Sequence, residues 1–117
     1  MRKLLNFTAV AEGGFGSLLL AAPAIVVRLL FATEVSGIAI TVGRLTGISL
    51  IALGVACWPS GDSRGALYGM LTWSVLAMVY LIVTGLSGSA GVLLWPAVVV
   101  HGAIAALLVW AKVVAET

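Results

Sequence analysis

The chain has 117 residues, of which 62% are hydrophobic and 9% are charged, and its formal net charge is +2. Soluble domains are about half apolar and about a quarter charged, so this chain lacks the polar side chains needed to cover a water-facing exterior. Its six basic residues are scattered, which argues against a nucleic-acid-binding patch. The only cysteine, Cys57, excludes an internal disulfide and a CxxC motif. The composition therefore predicts an integral membrane protein.

The first segment begins with a short basic region, Met1-Arg2-Lys3, followed by an apolar run. Glu12 interrupts this run, so we expect the segment to be retained as a first span and not cleaved as a signal peptide. Pro23 ends the span. The apolar stretch 24–31 that follows is too short to cross a bilayer. A proline at its start favours a short helix lying at the membrane interface.

Four apolar segments are long enough to cross a membrane, and we predict spans over about 4–22, 37–58, 65–86 and 92–114. Each is close to the ~20 residues that a helix needs to cross ~30 Å of hydrocarbon. Helices are favoured because they satisfy their own backbone hydrogen bonds in lipid. The sequence therefore predicts one transmembrane domain, residues 1–117, with an all-α fold: a four-helix bundle and a short interfacial helix between the first two spans.

The connectors and basic residues indicate how the spans are arranged. The loops at 58–64 and 87–91 are short, so the spans that they join are expected to be antiparallel neighbours. With a cytoplasmic N-terminus, only Arg28 lies outside, whereas four basic residues lie inside: Arg2, Lys3, Arg64 and Lys112. By the positive-inside rule we predict that both termini lie in the cytoplasm.

Small residues mark the faces where helices are expected to touch. Gly43 and Gly47 form a GxxxG pair, as do Gly65 and Gly69. Small residues also recur every fourth position along the first span: Ala9, Gly13, Ser17 and Ala21. Such spacing lets helix backbones approach closely in lipid, so it predicts tight packing and no particular function.

Three ionisable residues, Glu12, Arg44 and His101, lie inside predicted spans. A charge at mid-bilayer costs about 2.5–3.5 kcal/mol, so each should face the bundle interior with a partner. With a helical rise of ~1.5 Å per residue, these three and Tyr80 fall about 9–15 Å below the outer surface. We therefore predict an intramembrane polar cluster in which Glu12 pairs with Arg44, and Tyr80 and His101 hydrogen-bond around them.

The chemistry of this cluster is left open by the sequence. It can be structural, fixing the register of the helices, or it can hold a ligand or an ion. A single histidine excludes a bis-histidine haem within one chain, and we predict no metal and no cofactor. Motifs for catalysis are absent, including HExxH, GxSxG and a phosphate-binding glycine loop.

Two stretches resemble the small four-span bacterial membrane proteins of the DoxX-like type. They are EGGFGSLLLAAP, from Glu12 to Pro23, and GRLTGISLIALG, from Gly43 to Gly54. The resemblance implies a four-helix bundle in the inner (plasma) membrane of a bacterium, which often acts as a membrane partner of redox proteins. It implies no catalytic residues.

A second resemblance is to the small multidrug resistance exporters, which have a similar length, four spans and a glutamate in the first span, here Glu12. Arg44 and the longer first connector depart from that pattern. An arginine beside Glu12 would hold the carboxylate ionised and work against proton exchange.

These observations lead to one main hypothesis and two alternatives. The main hypothesis is a non-enzymatic accessory or interaction subunit of a larger membrane complex, whose partners are the bilayer and other membrane subunits or a second copy. It predicts a closed polar core. The first alternative is a proton-coupled transporter that acts as a dimer through a water-accessible Glu12. The second is a lipid- or quinone-binding bundle, which requires a cavity that opens beside Tyr80 and His101.

Overall fold

The computed structural model describes residues 1–117 and contains five α-helices and no strand. They are α1 (Arg2–Ala21), α2 (Pro23–Phe31), α3 (Ile38–Ala56), α4 (Arg64–Leu86) and α5 (Leu94–Glu116). All except α2 are long and apolar enough to cross a membrane. The all-α prediction with four long apolar helices is confirmed, and the chain is a multi-pass membrane protein.

The helix α2 is the short helix predicted after the first span. Pro23 lies in its first turn, where the missing N–H of proline costs no hydrogen bond. The helix ends at Ala32, which adopts a left-handed conformation with φ of 53°. Two backbone hydrogen bonds attach its last turn to the α4–α5 loop. Gly91 N–H donates to the carbonyl of Leu30 at 2.8 Å, and Leu93 N–H donates to that of Leu29 at 2.8 Å.

The closest packing in the molecule joins α1 to α3, which contact each other more extensively than any other pair of helices. A Cβ atom on Gly16 would lie 2.6 Å from the carbonyl oxygen of Gly47, and one on Gly47 would lie 2.5 Å from that of Gly16. A Cβ on Gly54 would lie 2.7 Å from the carbonyl oxygen of Ala9. The two backbones therefore touch directly, and only glycine fits at these three positions.

The two GxxxG pairs predicted from the sequence differ in the structure. Gly47 lies at the α1–α3 contact, while a Cβ on Gly43 would lie 3.1 Å from Pro23 Cβ of α2. Gly69 approaches the Cys57 sulfur, whereas no neighbouring atom lies within 4 Å of a Cβ built on Gly65. The spacing thus located the contact of α3 correctly but gave Gly65 a packing role that it does not have.

The second close pair is α4 with α5, and contacts between this pair and the α1–α3 pair are fewer. At the end of the bundle that carries both chain termini, here called the terminal end, an apolar core joins the two pairs. Its members are Leu5, Cys57, Ala66, Leu67, Met70, Ile104 and Leu108. At the opposite end, called the α2 end, the buried cluster is smaller: Leu19, Val26 and Leu50 come from α1, α2 and α3, and the partly buried Trp73 of α4 packs against them. The bundle is therefore closed at the terminal end and divided at the α2 end.

Replacing Gly47 with alanine tests the α1–α3 contact. We expect Gly47→Ala to lower the free energy of unfolding by about 1–3 kcal/mol, because the added methyl group overlaps a backbone oxygen and forces the helices apart. Gly14→Ala is the matched control, since no neighbouring atom lies within 4 Å of a Cβ there. Steric-trapping unfolding in bicelles measures both variants, and equal stabilities would contradict the proposed contact.

Candidate functional site

A cleft of about 720 Å³ separates the two helix pairs at the α2 end. Its volume lies within the ~300–1,000 Å³ of typical ligand pockets. Four apolar residues of α2 cover it at that end: Val26, Val27, Leu30 and Phe31. Most of its other lining residues, from all four long helices, are also apolar. The cleft is therefore a mainly hydrophobic cavity inside a membrane protein.

The cleft opens sideways between the long helices. Its lining includes Leu76 and Tyr80 of α4 and Val100 of α5, and these side chains are 63%, 68% and 52% exposed. Thr46 of α3, which is also exposed, lines it too. These residues lie within membrane-spanning helices, where the surrounding solvent is lipid. A molecule dissolved in the bilayer can therefore reach the cleft without passing through water.

The floor of the cleft, on the side toward the terminal end, is polar. Glu12 of α1 and His101 of α5 both line it, with side chains 7% and 15% exposed and with 3.9 Å between Glu12 Oε1 and His101 Nδ1. That distance is too long for a hydrogen bond. The ring of Trp73 packs edge-on against the imidazole of His101, with 6.2 Å between centroids and an angle of 80°. We call Glu12, Trp73 and His101 the polar floor.

The packing of α1 places Glu12 on the floor. The buried residues of α1 recur at the helical spacing of three and four: Leu5, Thr8, Ala9, Glu12, Gly16 and Leu19. Glu12 therefore belongs to the inward-facing stripe, one turn before the glycine that touches α3. The hydroxyl of Thr8 on the same stripe donates to the carbonyl of Leu5 at 3.0 Å and so is satisfied within the helix.

Two ring nitrogens of the polar floor have no hydrogen-bond partner inside the protein. Trp73 Nε1 and His101 Nδ1 are buried without a hydrogen-bond partner. The indole N–H of Trp73 lies beside the carboxyl group of Glu12, but not with the geometry of a hydrogen bond. Buried polar groups in proteins are nearly always hydrogen-bonded. The floor therefore has unused hydrogen-bonding capacity next to a cavity.

Arg44 corrects the sequence-based prediction, because it does not pair with Glu12. It lies on the exposed surface of α3 and takes part in none of the salt bridges. Gly43 and Thr46 line the cleft and Gly47 contacts α1, and these positions set the rotation of α3. With about 3.6 residues per turn, that rotation turns Arg44 toward the outer surface.

The remaining predicted residues are brought to the same cleft in different ways. His101 contacts Glu12 directly. Tyr80 lines the exposed rim and forms no side-chain hydrogen bond; its backbone carbonyl accepts one from Thr84 at 2.8 Å. Three of the four predicted residues therefore line the cleft, but only Glu12 and His101 contact each other, and the expected hydrogen bonds around a Glu12–Arg44 pair are not formed.

Trp73 was missed by the sequence analysis. Trp73 lies two helical turns before Tyr80, so both residues share one face of α4. That spacing could have predicted that Trp73 lies near the same site. No group of three or more His, Cys, Asp or Glu side chains in the structure is arranged to hold a metal ion.

Comparisons with known proteins add no relative. No protein-family model matches the chain, and no curated protein or solved structure matches it either. The resemblance to DoxX-like proteins therefore stays a prediction.

A pair of double-mutant cycles tests the placement of Glu12. For Glu12→Gln combined with His101→Leu, we expect a coupling energy of about 0.5–1 kcal/mol in the free energy of unfolding, because the two side chains are in contact. For Glu12→Gln combined with Arg44→Leu, we expect additivity within about 0.5 kcal/mol. Unfolding in bicelles measures both cycles. Strong coupling of Glu12 to Arg44 and none to His101 would show that the side chains are arranged differently.

Proposed function

We propose that this protein binds a membrane-soluble, amphipathic molecule of the lipid or quinone class in the cleft between its two helix pairs. One observation carries the proposal: a laterally open apolar cavity ends in a buried polar floor formed by Glu12, Trp73 and His101. The cavity lies beside Tyr80 and His101, where the lipid- or quinone-binding hypothesis required it.

The polar floor is needed for any preference among bilayer components. Lipid tails are as apolar as leucine side chains, so an apolar wall alone does not distinguish one molecule with an alkyl chain from another. A polar group that is moved from the headgroup region into hydrocarbon loses its hydrogen bonds unless the protein replaces them. The floor offers such replacements about halfway along the spans. The polar part of the ligand is therefore expected to determine which molecule binds, while the apolar cleft accommodates the hydrocarbon chain.

The accessory-subunit hypothesis is a different proposal, and it stays a prediction. It was linked to a closed polar core, whereas Glu12 and His101 line an open cleft. A bundle that binds a lipid-soluble ligand can still serve a larger complex. No feature of the surface identifies such a partner.

Proton-coupled transport is a second candidate, and one observation favours it. Glu12 has no ion pair with Arg44, so the main objection from the sequence is removed. A buried carboxyl group that lines a cleft between membrane helices is a common substrate and proton site in transporters. This candidate requires a lipophilic cation as substrate and a second copy of the chain.

For localisation, we propose the bacterial inner membrane, as the resemblance to DoxX-like proteins implies. We also propose that both termini lie in the cytoplasm, which the distribution of basic residues supports. Single cysteines in a Cys57→Ser background test the orientation with a membrane-impermeant maleimide on spheroplasts. Ser89→Cys, in the exposed α4–α5 loop, should react without permeabilisation. Ser60→Cys, in the exposed α3–α4 loop, should react only after it. The reverse pattern would invert the topology.

Filling the cleft tests the binding function. A headless hexadecyl diazirine, photoactivated in phosphatidylcholine nanodiscs, should label residues that line the cleft more than lipid-facing residues at the same depth. Ala97 lines the cleft, so Ala97→Phe should reduce this labelling by about tenfold, which corresponds to about 1.4 kcal/mol. Ala103→Phe is the matched control, because Ala103 is exposed on the same helix outside the cleft. Equal labelling of the two variants would contradict the proposal.

A further inference from the structure

We infer that the polar floor recognises an uncharged head group that donates and accepts hydrogen bonds, namely a hydroxyl of an alcohol, phenol or quinol. The inference rests on the proposed ligand-binding function and specifies the class of ligand. It follows from which hydrogen-bonding groups the floor offers and which it lacks.

The floor combines groups of opposite hydrogen-bonding character. The carboxyl group of Glu12 can accept a hydrogen bond in either protonation state, and the indole of Trp73 can only donate one. The imidazole nitrogen of His101 donates or accepts, depending on its tautomer. Trp73 lies beside Glu12, and Glu12 lies 3.9 Å from His101. A hydroxyl group placed among them can accept from Trp73 and donate to Glu12 at the same time.

Anionic head groups fit this floor poorly. A phosphate or a carboxylate would face the carboxyl group of Glu12, and no arginine or lysine lines the cleft to compensate. Arg28 belongs to α2, which covers the cleft, but its guanidinium pairs at the surface with Glu34, with 3.4 Å between Arg28 Nη1 and Glu34 Oε1. Because an unpaired charge in hydrocarbon is costly, the lining disfavours fatty acids and the phosphate of a phospholipid.

A cationic head group fits only part of the floor. An ammonium group would be attracted to Glu12 and to the ring of Trp73. It has no lone pair to accept from the indole N–H, which is buried without a partner. That donor would stay unsatisfied in a desolvated site. The floor therefore favours a hydroxyl over an ammonium group on the same chain.

Three compounds that share a hexadecyl chain but differ in head group test the inference. Hexadecanol, hexadecanoate and hexadecyltrimethylammonium compete with the headless hexadecyl diazirine for the cleft, in phosphatidylcholine nanodiscs that contain the full chain. We expect hexadecanol to displace the label at a mole fraction about tenfold below the other two, the effect of about 1.4 kcal/mol. A cation that competes best would overturn the inference and favour the transporter, and a carboxylate that competes best would also overturn it.

The same experiment separates this inference from the proposed function. If the label enters the cleft and the three compounds compete equally, the head-group inference fails while ligand binding stands. If the label does not concentrate in the cleft at all, both fail.

Two substitutions assign the recognition to named atoms. Trp73→Phe removes the N–H but keeps an aromatic ring, so hexadecanol should lose its advantage of about tenfold. Trp110→Phe is the control, since Trp110 is exposed on α5 outside the cleft. Glu12→Leu removes the acceptor oxygens to which the hydroxyl donates, so it should also reduce the advantage of hexadecanol. A Trp73→Phe protein that keeps the full advantage, with unchanged unfolding stability, would overturn the role of the indole.

Discussion

The direct backbone contact between α1 and α3 is the constraint on which the rest of the structure depends. In lipid the hydrophobic effect no longer drives helices together, so close van der Waals packing must hold them. Gly16 and Gly47 allow this packing because neither carries a side chain where the backbones meet. The contact also fixes the rotation of each helix about its axis. Glu12, one turn before Gly16, is thereby directed into the bundle, whereas Arg44, three residues before Gly47, lies to the side of the contact and is exposed.

The two ends of the bundle differ because each helix pair is held together by its own contacts. An apolar core joins the pairs at the terminal end through fully buried residues such as Leu5, Met70 and Leu108. At the other end α2 bridges the pairs, and they remain apart beneath it. The polar floor lies where the closed half meets the open half. Its side chains are therefore held by packing on one side and reach the cavity on the other.

The fold was predictable because lipid restricts what a chain of this composition can form. Hydropathy and length located the four long helices, and Pro23 located the start of α2. The depth of each residue in the membrane follows from the helical rise. Glu12 and His101 were therefore expected at a similar depth, and their side chains are in contact. Rotation about the helix axis was not predictable for α3, since it depends on which glycines touch a neighbour. That is why Arg44 was expected to face Glu12 and instead lies on the exposed surface of α3.

The way in which α2 is attached leaves most of its side chains free to vary. Both hydrogen bonds that fasten α2 to the α4–α5 loop use backbone atoms only, from Leu29 and Leu30 to Gly91 and Leu93. Most side chains on α2 can therefore be exchanged without removing the fastening, as long as Gly91 stays small where it meets Leu29. The side chains with which α2 covers the cleft can therefore change without affecting the backbone hydrogen bonds that hold α2 in place. Substitutions in α2 alone can therefore change the shape of this end of the cleft, while the side chains of the polar floor are kept.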